Sequence, residues 1–107
     1  MFIKYDEYDL LELFLSEPIS LTDNLGDGEV RYVKSGENEF QLAINIYAYQ
    51  LKCTISLLYQ KKDIFFSSFE NVTSLIKKGN TLEVLSGKGK LLAIEFTEDF
   101  IISIENE

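Results

Sequence analysis

The sequence predicts an α+β chain that is mostly β: a short N-terminal helix packed on an antiparallel sheet or a small sandwich of about six to eight strands. Two observations point there. Helical apolar spacing is confined to the stretch before Pro18, the chain's only proline. Beyond it, apolar residues recur with a period of two, punctuated by glycine and Asn/Asp turn signals.

The helix is expected over residues 7–16. Asp6 is placed to cap it, and Asp9 puts negative charge in the first turn, where the helix dipole favours it. Tyr8, Leu11 and Leu15, with Leu10 and Phe14, fall at the spacing of one buried stripe, leaving Glu7 and Glu12 outside. Pro18 ends the element because the residue before a proline is pushed out of the helical region. The clearest strands come next: Phe40, Leu42, Ile44, Ile46 and Ala48 alternate with smaller or polar neighbours, as do Leu51, Cys53, Ile55, Leu57 and Tyr59. Val30 and Tyr32 mark a weaker strand. A turn is expected at Lys61-Lys62-Asp63, with a strand after it through Ile64, Phe65, Phe66 and Phe69. Leu82 and Val84 face Leu91, Ala93, Ile94 and Phe96 across a hairpin at Ser86-Gly87-Lys88-Gly89, and Phe100, Ile102 and Ile104 alternate at the C-terminal end.

Composition bounds the function. The 107 residues suit one domain over 1–107, and a 46% hydrophobic content with 8 Phe and 6 Tyr supplies a core. The net charge of −8 argues against direct nucleic-acid binding, which needs a basic face. No apolar run has the length of a membrane span, and the acid-rich start lacks the charge of a secretory leader, so a cytoplasmic protein with no membrane partner is expected. The single cysteine, Cys53, cannot pair within the chain and sits among apolar residues, as a buried structural thiol does.

The absence of histidine removes Ser-His-Asp and Cys-His chemistry and leaves only carboxylates for a metal. Glu95, Glu98 and Asp99 cluster in sequence, as do Asp6, Glu7 and Asp9, but such spacing is ordinary on solvated surfaces. Asp23, Asp27 and Gly28 imitate a calcium loop, yet Leu25 stands at a ligand position and Lys34 where the closing glutamate belongs. Ser86-Gly87-Lys88-Gly89-Lys90 imitates a phosphate loop without its first glycine or its magnesium-binding hydroxyl. We therefore expect no enzyme, no metal and no cofactor. Acids concentrate in residues 1–40 and 91–107, bases in 61–90. Were the two ends to share a face, it would attract a cationic partner.

Asp9-Leu10-Leu11, Phe14 and Ser16-Glu17-Pro18-Ile19-Ser20 together resemble the N-terminal signature of contact-dependent growth inhibition immunity proteins of the CdiI type. Ser68-Phe69 and Val72-Thr73-Ser74-Leu75 resemble a mid-chain segment of the same proteins. The resemblance implies a cytoplasmic protein that neutralises the C-terminal toxin domain encoded beside it. It also implies that this domain is a nuclease of the metal-dependent DNase group, and related Maf-type systems carry similar immunity proteins. In that group a toxin β-hairpin pairs with the immunity protein's sheet and fills a pocket. The Ser-Glu-Pro segment is then structural, ending the helix and aiming the first strand. On this basis the candidate toxin-binding residues are the turn acids Asp23, Asp27, Glu29, Glu37 and Glu39 and the amphipathic aromatics Tyr32, Tyr47 and Tyr49. The alternative is a small intracellular β-rich ligand-binding or assembly module unrelated to toxins.

Overall fold

A computed structural model describes residues 1–98 and 100–105. Among the described residues one α-helix, α1 (Glu7–Phe14), precedes nine strands: β1 (Ile19–Ser20), β2 (Glu29–Ser35), β3 (Phe40–Tyr47), β4 (Lys52–Tyr59), β5 (Lys62–Phe69), β6 (Val72–Lys78), β7 (Thr81–Ser86), β8 (Gly89–Phe96) and β9 (Phe100–Ile104). They form two antiparallel sheets, ordered β1-β2-β3-β4-β5 and β6-β7-β8-β9, so nearly every connection is a local turn. The mostly-β class expected from periodicity is the class observed.

The period-two pattern sets which face is wet. Val30 and Tyr32 on β2, Leu42, Ile44 and Ile46 on β3, and Cys53 and Ile55 on β4 all point into one core. Val72, Leu75, Leu82, Val84, Leu92, Ile94 and Phe96 meet them from the second sheet. The N-terminal segment ties the sheets together. The Ile3 amide donates to the Ala48 carbonyl at 2.9 Å, while Lys4 exchanges bonds with Thr73 and Leu75 beside β6.

The helix begins as expected, with the Asp6 side chain accepting from the Tyr8 amide at 2.8 Å. It ends earlier than the proline signal implies. Leu15 adopts a left-handed conformation (φ 55°) and its amide caps Leu11, so α1 stops at Phe14. Its buried side is also rotated: Leu10, Leu13 and Phe14 are buried, whereas Tyr8 and Leu15 stand exposed. The reason is that α1 lies against both β2 and β6, and that seat accepts one stripe of the helix surface. Phe14 is central to it, 5.6 Å from the Tyr32 ring and 5.1 Å from Phe96. Ser16 then donates to the Val33 carbonyl at 2.6 Å, beyond the two residues that β1 pairs with β2.

Three further departures have local causes. Strand β3 ends at Tyr47 because Ala48–Gln50 turn into a single 3-10 turn closed by Leu51 at φ 53°. Strand β6 carries a bulge between Val72 and Ser74, which breaks the alternation and hides the strand from a period-two reading. The β4–β5 turn is Gln60-Lys61, one residue earlier than expected, and both residues have positive φ (51° and 65°). Such a turn matches the twist of a hairpin but normally takes Asn-Gly. The neighbouring β2–β3 tip repeats the geometry at Asn38 and Glu39. The two tips are joined where the Gln60 amide donates to the Glu39 carbonyl at 3.1 Å and Gln60 Nε2 to Glu39 Oε2 at 2.9 Å.

Two stability outcomes follow from this packing. Phe14→Ala should cost about 3–5 kcal/mol in urea unfolding, since it empties the joint between helix and both sheets. Lys61→Gly should stabilise by about 0.5–1 kcal/mol, read as a higher urea midpoint, because it relieves a left-handed lysine while leaving the Gln60–Glu39 bonds in place.

Candidate partner-binding site

Two surface features stand apart from the packed core. The first is the outer edge of β5. A sheet edge presents unpaired N–H and C=O groups, and folded proteins usually blunt it. Here β1 is only two residues long, β6 is bridged by Lys4, and β9, the outer strand of the second sheet, is five residues long with Ile101 and Ile104 exposed. Strand β5 is eight residues long, contains no proline, and pairs with β4 alone. Its exposed side chains include Ile64 and Phe66, at 55% and 58% exposure. The register shift opposite Leu57/Leu58 leaves Ile64 as the extra residue of a bulge. Inward, Leu57 pairs with Phe65 and lines a cavity of about 400 Å³ with Asn38, Phe40 and Phe100. Behind β5, on the sheet's outer face, small residues sink between larger ones. Thr54 there is 6% exposed, and its hydroxyl has no hydrogen-bond partner among the described residues.

The second feature is a groove between the start of α1 and the segment leading into β2. Tyr5, Glu7, Tyr8, Leu11, Glu17, Pro18, Gly28, Val30 and Tyr32 line a cavity of about 390 Å³. It adjoins one of about 370 Å³ that shares Tyr5, Glu7 and Gly28 and is also lined by Phe2, Lys4 and Tyr49. Gly28, at φ 72°, permits this close approach, since a Cβ there would stand 2.7 Å from the Tyr49 ring. Burial raises the Tyr5 phenol's pKa, with the Glu7 carboxylate adding to it. Burial also raises that of Tyr32, followed by the nearby Tyr5, Glu7 and Glu17.

The structure divides the residues singled out from sequence. Glu29 pairs with Tyr47, and Tyr49 packs against Gly28, so Asp27, Glu29, Tyr47 and Tyr49 gather at one end of the five-stranded sheet. The Tyr47 ring also carries Lys52, 5.7 Å from its centroid. Asp23 is exposed in the loop before them. Glu37 and Glu39 lie at the opposite tip of β2 and β3, roughly 20 Å along the strand. Tyr32 is only 1% exposed and its ring belongs to the core. Sequence reasoning passed over the groove residues Tyr5, Glu7, Tyr8 and Glu17. For Tyr5, Glu7 and Tyr8 the signal was two phenols flanking two carboxylates in Tyr5-Asp6-Glu7-Tyr8, but helical periodicity drew Tyr8 into the wrong stripe. Of the clustered acids, Glu95 and Glu98 are exposed, while Asp99 lies outside the described residues. Among the described residues no three acidic or cysteine side chains gather as a metal site, and no helix is long and apolar enough to cross a membrane.

Three of the six bases in residues 61–90, Lys77, Lys78 and Lys90, are paired on the four-stranded sheet. Lys78 and Lys90 hold Glu83 at 3.2 and 3.5 Å, and Lys77 reaches Glu12 at 3.5 Å. The hydrogen bond from Lys78 is the main cause holding the Glu83 carboxyl below its ordinary range.

The chain has the fold of a solved chain in a contact-dependent growth inhibition toxin–immunity protein complex from Klebsiella pneumoniae 342. The TM-score is 0.78 at 17% sequence identity, over 98% of each chain. The CdiI-type resemblance drawn from the Ser-Glu-Pro segment thus extends to the fold of the whole chain. No protein-family model and no curated protein matches the sequence.

Cys53 is fully buried, and burial pushes its thiol up to about 12 from an ordinary value of 9. Between those limits the folded chain holds a proton that the unfolded chain releases. This contribution to stability is complete below pH 9 and falls by roughly 1.4 kcal/mol per pH unit above it. Urea titrations from pH 8 to 11 should show that slope, reduced in Cys53→Ala, and a thiol reagent should label Cys53 only on unfolding.

Proposed function

We propose that this protein is an immunity protein that binds and neutralises the C-terminal nuclease toxin domain of a contact-dependent growth inhibition or related polymorphic toxin system. The observation that carries the reading is the end-to-end match of its fold to a chain of a toxin–immunity complex. Charge selects the immunity side of such a pair. A nuclease must approach phosphate, whereas this chain carries −8 and no histidine. It acts by stoichiometric binding in the cytoplasm, without a cofactor.

The open edge of β5 supplies the means. A toxin strand added there gains main-chain hydrogen bonds, with Ile64 and Phe66 giving apolar contact beside it and the cavity behind Leu57 within reach of its side chains. The acids at the two ends of β2 and β3 steer a basic toxin toward this sheet.

Co-expression with the toxin domain encoded beside it should restore growth and co-purify the two proteins. Death of the cells despite abundant immunity protein would reject the function. The double variant Ile64→Lys/Phe66→Lys should weaken toxin binding at least tenfold in calorimetry, with unfolding shifted by no more than about 0.5 kcal/mol. Unchanged affinity would remove β5 as the docking strand.

A further inference from the structure

We propose that the groove between α1 and the start of β2 is a receptor for an arginine side chain of the bound partner protein, an inference that rests on the immunity reading above. Its walls are phenols and carboxylates: Tyr5, Tyr8 and Tyr32 with Glu7 and Glu17. Neither Glu7 nor Glu17 forms an ion pair among the described residues, although Glu12, Glu83 and Glu105 do. Tyr32 carries the argument beyond a cluster of acids. The residue is 1% exposed and its ring packs on Phe14, yet it lines the groove and no protein group bonds its hydroxyl among the described residues. The hydroxyl is not one of the fully buried polar atoms, so the little of Tyr32 that stays accessible is its oxygen, open to the groove and free to accept from a ligand.

The chemistry fits guanidinium better than other ligands. An anion would face Glu7 and Glu17. A neutral apolar group would leave the Tyr32 hydroxyl and both carboxylates desolvated. A planar cation stacks on the Tyr5 or Tyr8 ring, donates to the carboxylates, and gives Tyr32 an N–H to accept. Lys4 lines the adjoining cavity but not the groove, whose lining includes no lysine or arginine to compete. The site is distinct from the β5 edge, so an arginine seated here would add a second, charge-selective anchor to strand pairing.

The test uses the whole protein and N-acetyl-arginine amide, followed by NMR of the tyrosine rings. Saturable shifts of Tyr5, Tyr8 and Tyr32 are expected, with at least tenfold weaker response to the neutral isostere N-acetyl-citrulline amide. Glu7→Gln/Glu17→Gln should abolish the response. Tyr32→Phe should weaken it several-fold while leaving the unfolding midpoint unchanged or higher, which a merely structural hydroxyl would not do. Absence of saturable shifts, or equal shifts from citrulline, overturns the assignment. Full toxin affinity in Glu7→Gln/Glu17→Gln, with wild-type protection intact, also overturns it and leaves the immunity function standing. If the wild type neither binds toxin nor protects, that function fails, and with it the partner's arginine, whatever the titration gives.

Discussion

Phe14 sits where three pieces of the molecule meet. Its ring touches Tyr32 of the five-stranded sheet and Phe96 of the four-stranded sheet, and its backbone ends the helix. Two sheets made of local hairpins have no covalent reason to close on one another beyond the short link at residues 70–71. A shared apolar contact supplies one, because each sheet alone would expose its inward face to water. Ile3 and the Lys4 bridge add a second joint nearby. The groove at the start of α1 exists because this seat fixes the helix against β2 at a set distance and turns Tyr8 outward.

The same constraint covers two of the sheet edges from within. Closing the core places the N-terminal segment beside β6 and the Ser16 side chain on the β2 backbone, so those positions are occupied from within. Strand β5 has no such cover. Its chain continues into β6 through Glu70 and the left-handed Asn71, which turn it into the other sheet before anything can lie along its outer side. An exposed edge carrying Ile64 and Phe66 is an aggregation hazard in a free protein and a ready surface in one that meets a partner strand. The second meaning is the one the proposed immunity function uses.

In the proposed function, edge and groove would divide the work of recognition by physics. Main-chain pairing is strong but nearly indifferent to sequence, since every residue offers the same donor and acceptor. Side-chain chemistry in pockets is what discriminates. Carboxylates that are not neutralised locally also act at a distance, speeding encounter before contact is made. The lysines of the four-stranded sheet, bound to Glu83, Glu12 and Glu105, take little part in that field.

Residue order alone determined much of this protein. Alternation placed Leu42, Ile44, Ile46, Cys53 and Ile55 in the core, Asp6 at the head of the helix, and the hairpin at Gly87-Lys88, because each depends on interactions within a few residues. Its charge and lack of histidine were equally plain. Tertiary structure decided the rest. The helix turned Leu13 inward and Tyr8 outward to fit a seat made by distant strands. The bulge in β6 concealed a strand, and Tyr32 went to the core while Glu37 and Glu39 went to the far tip from Asp27 and Glu29. Periodicity gives each segment two faces, but only the closing of one sheet on the other settles which face, edge or end remains in water.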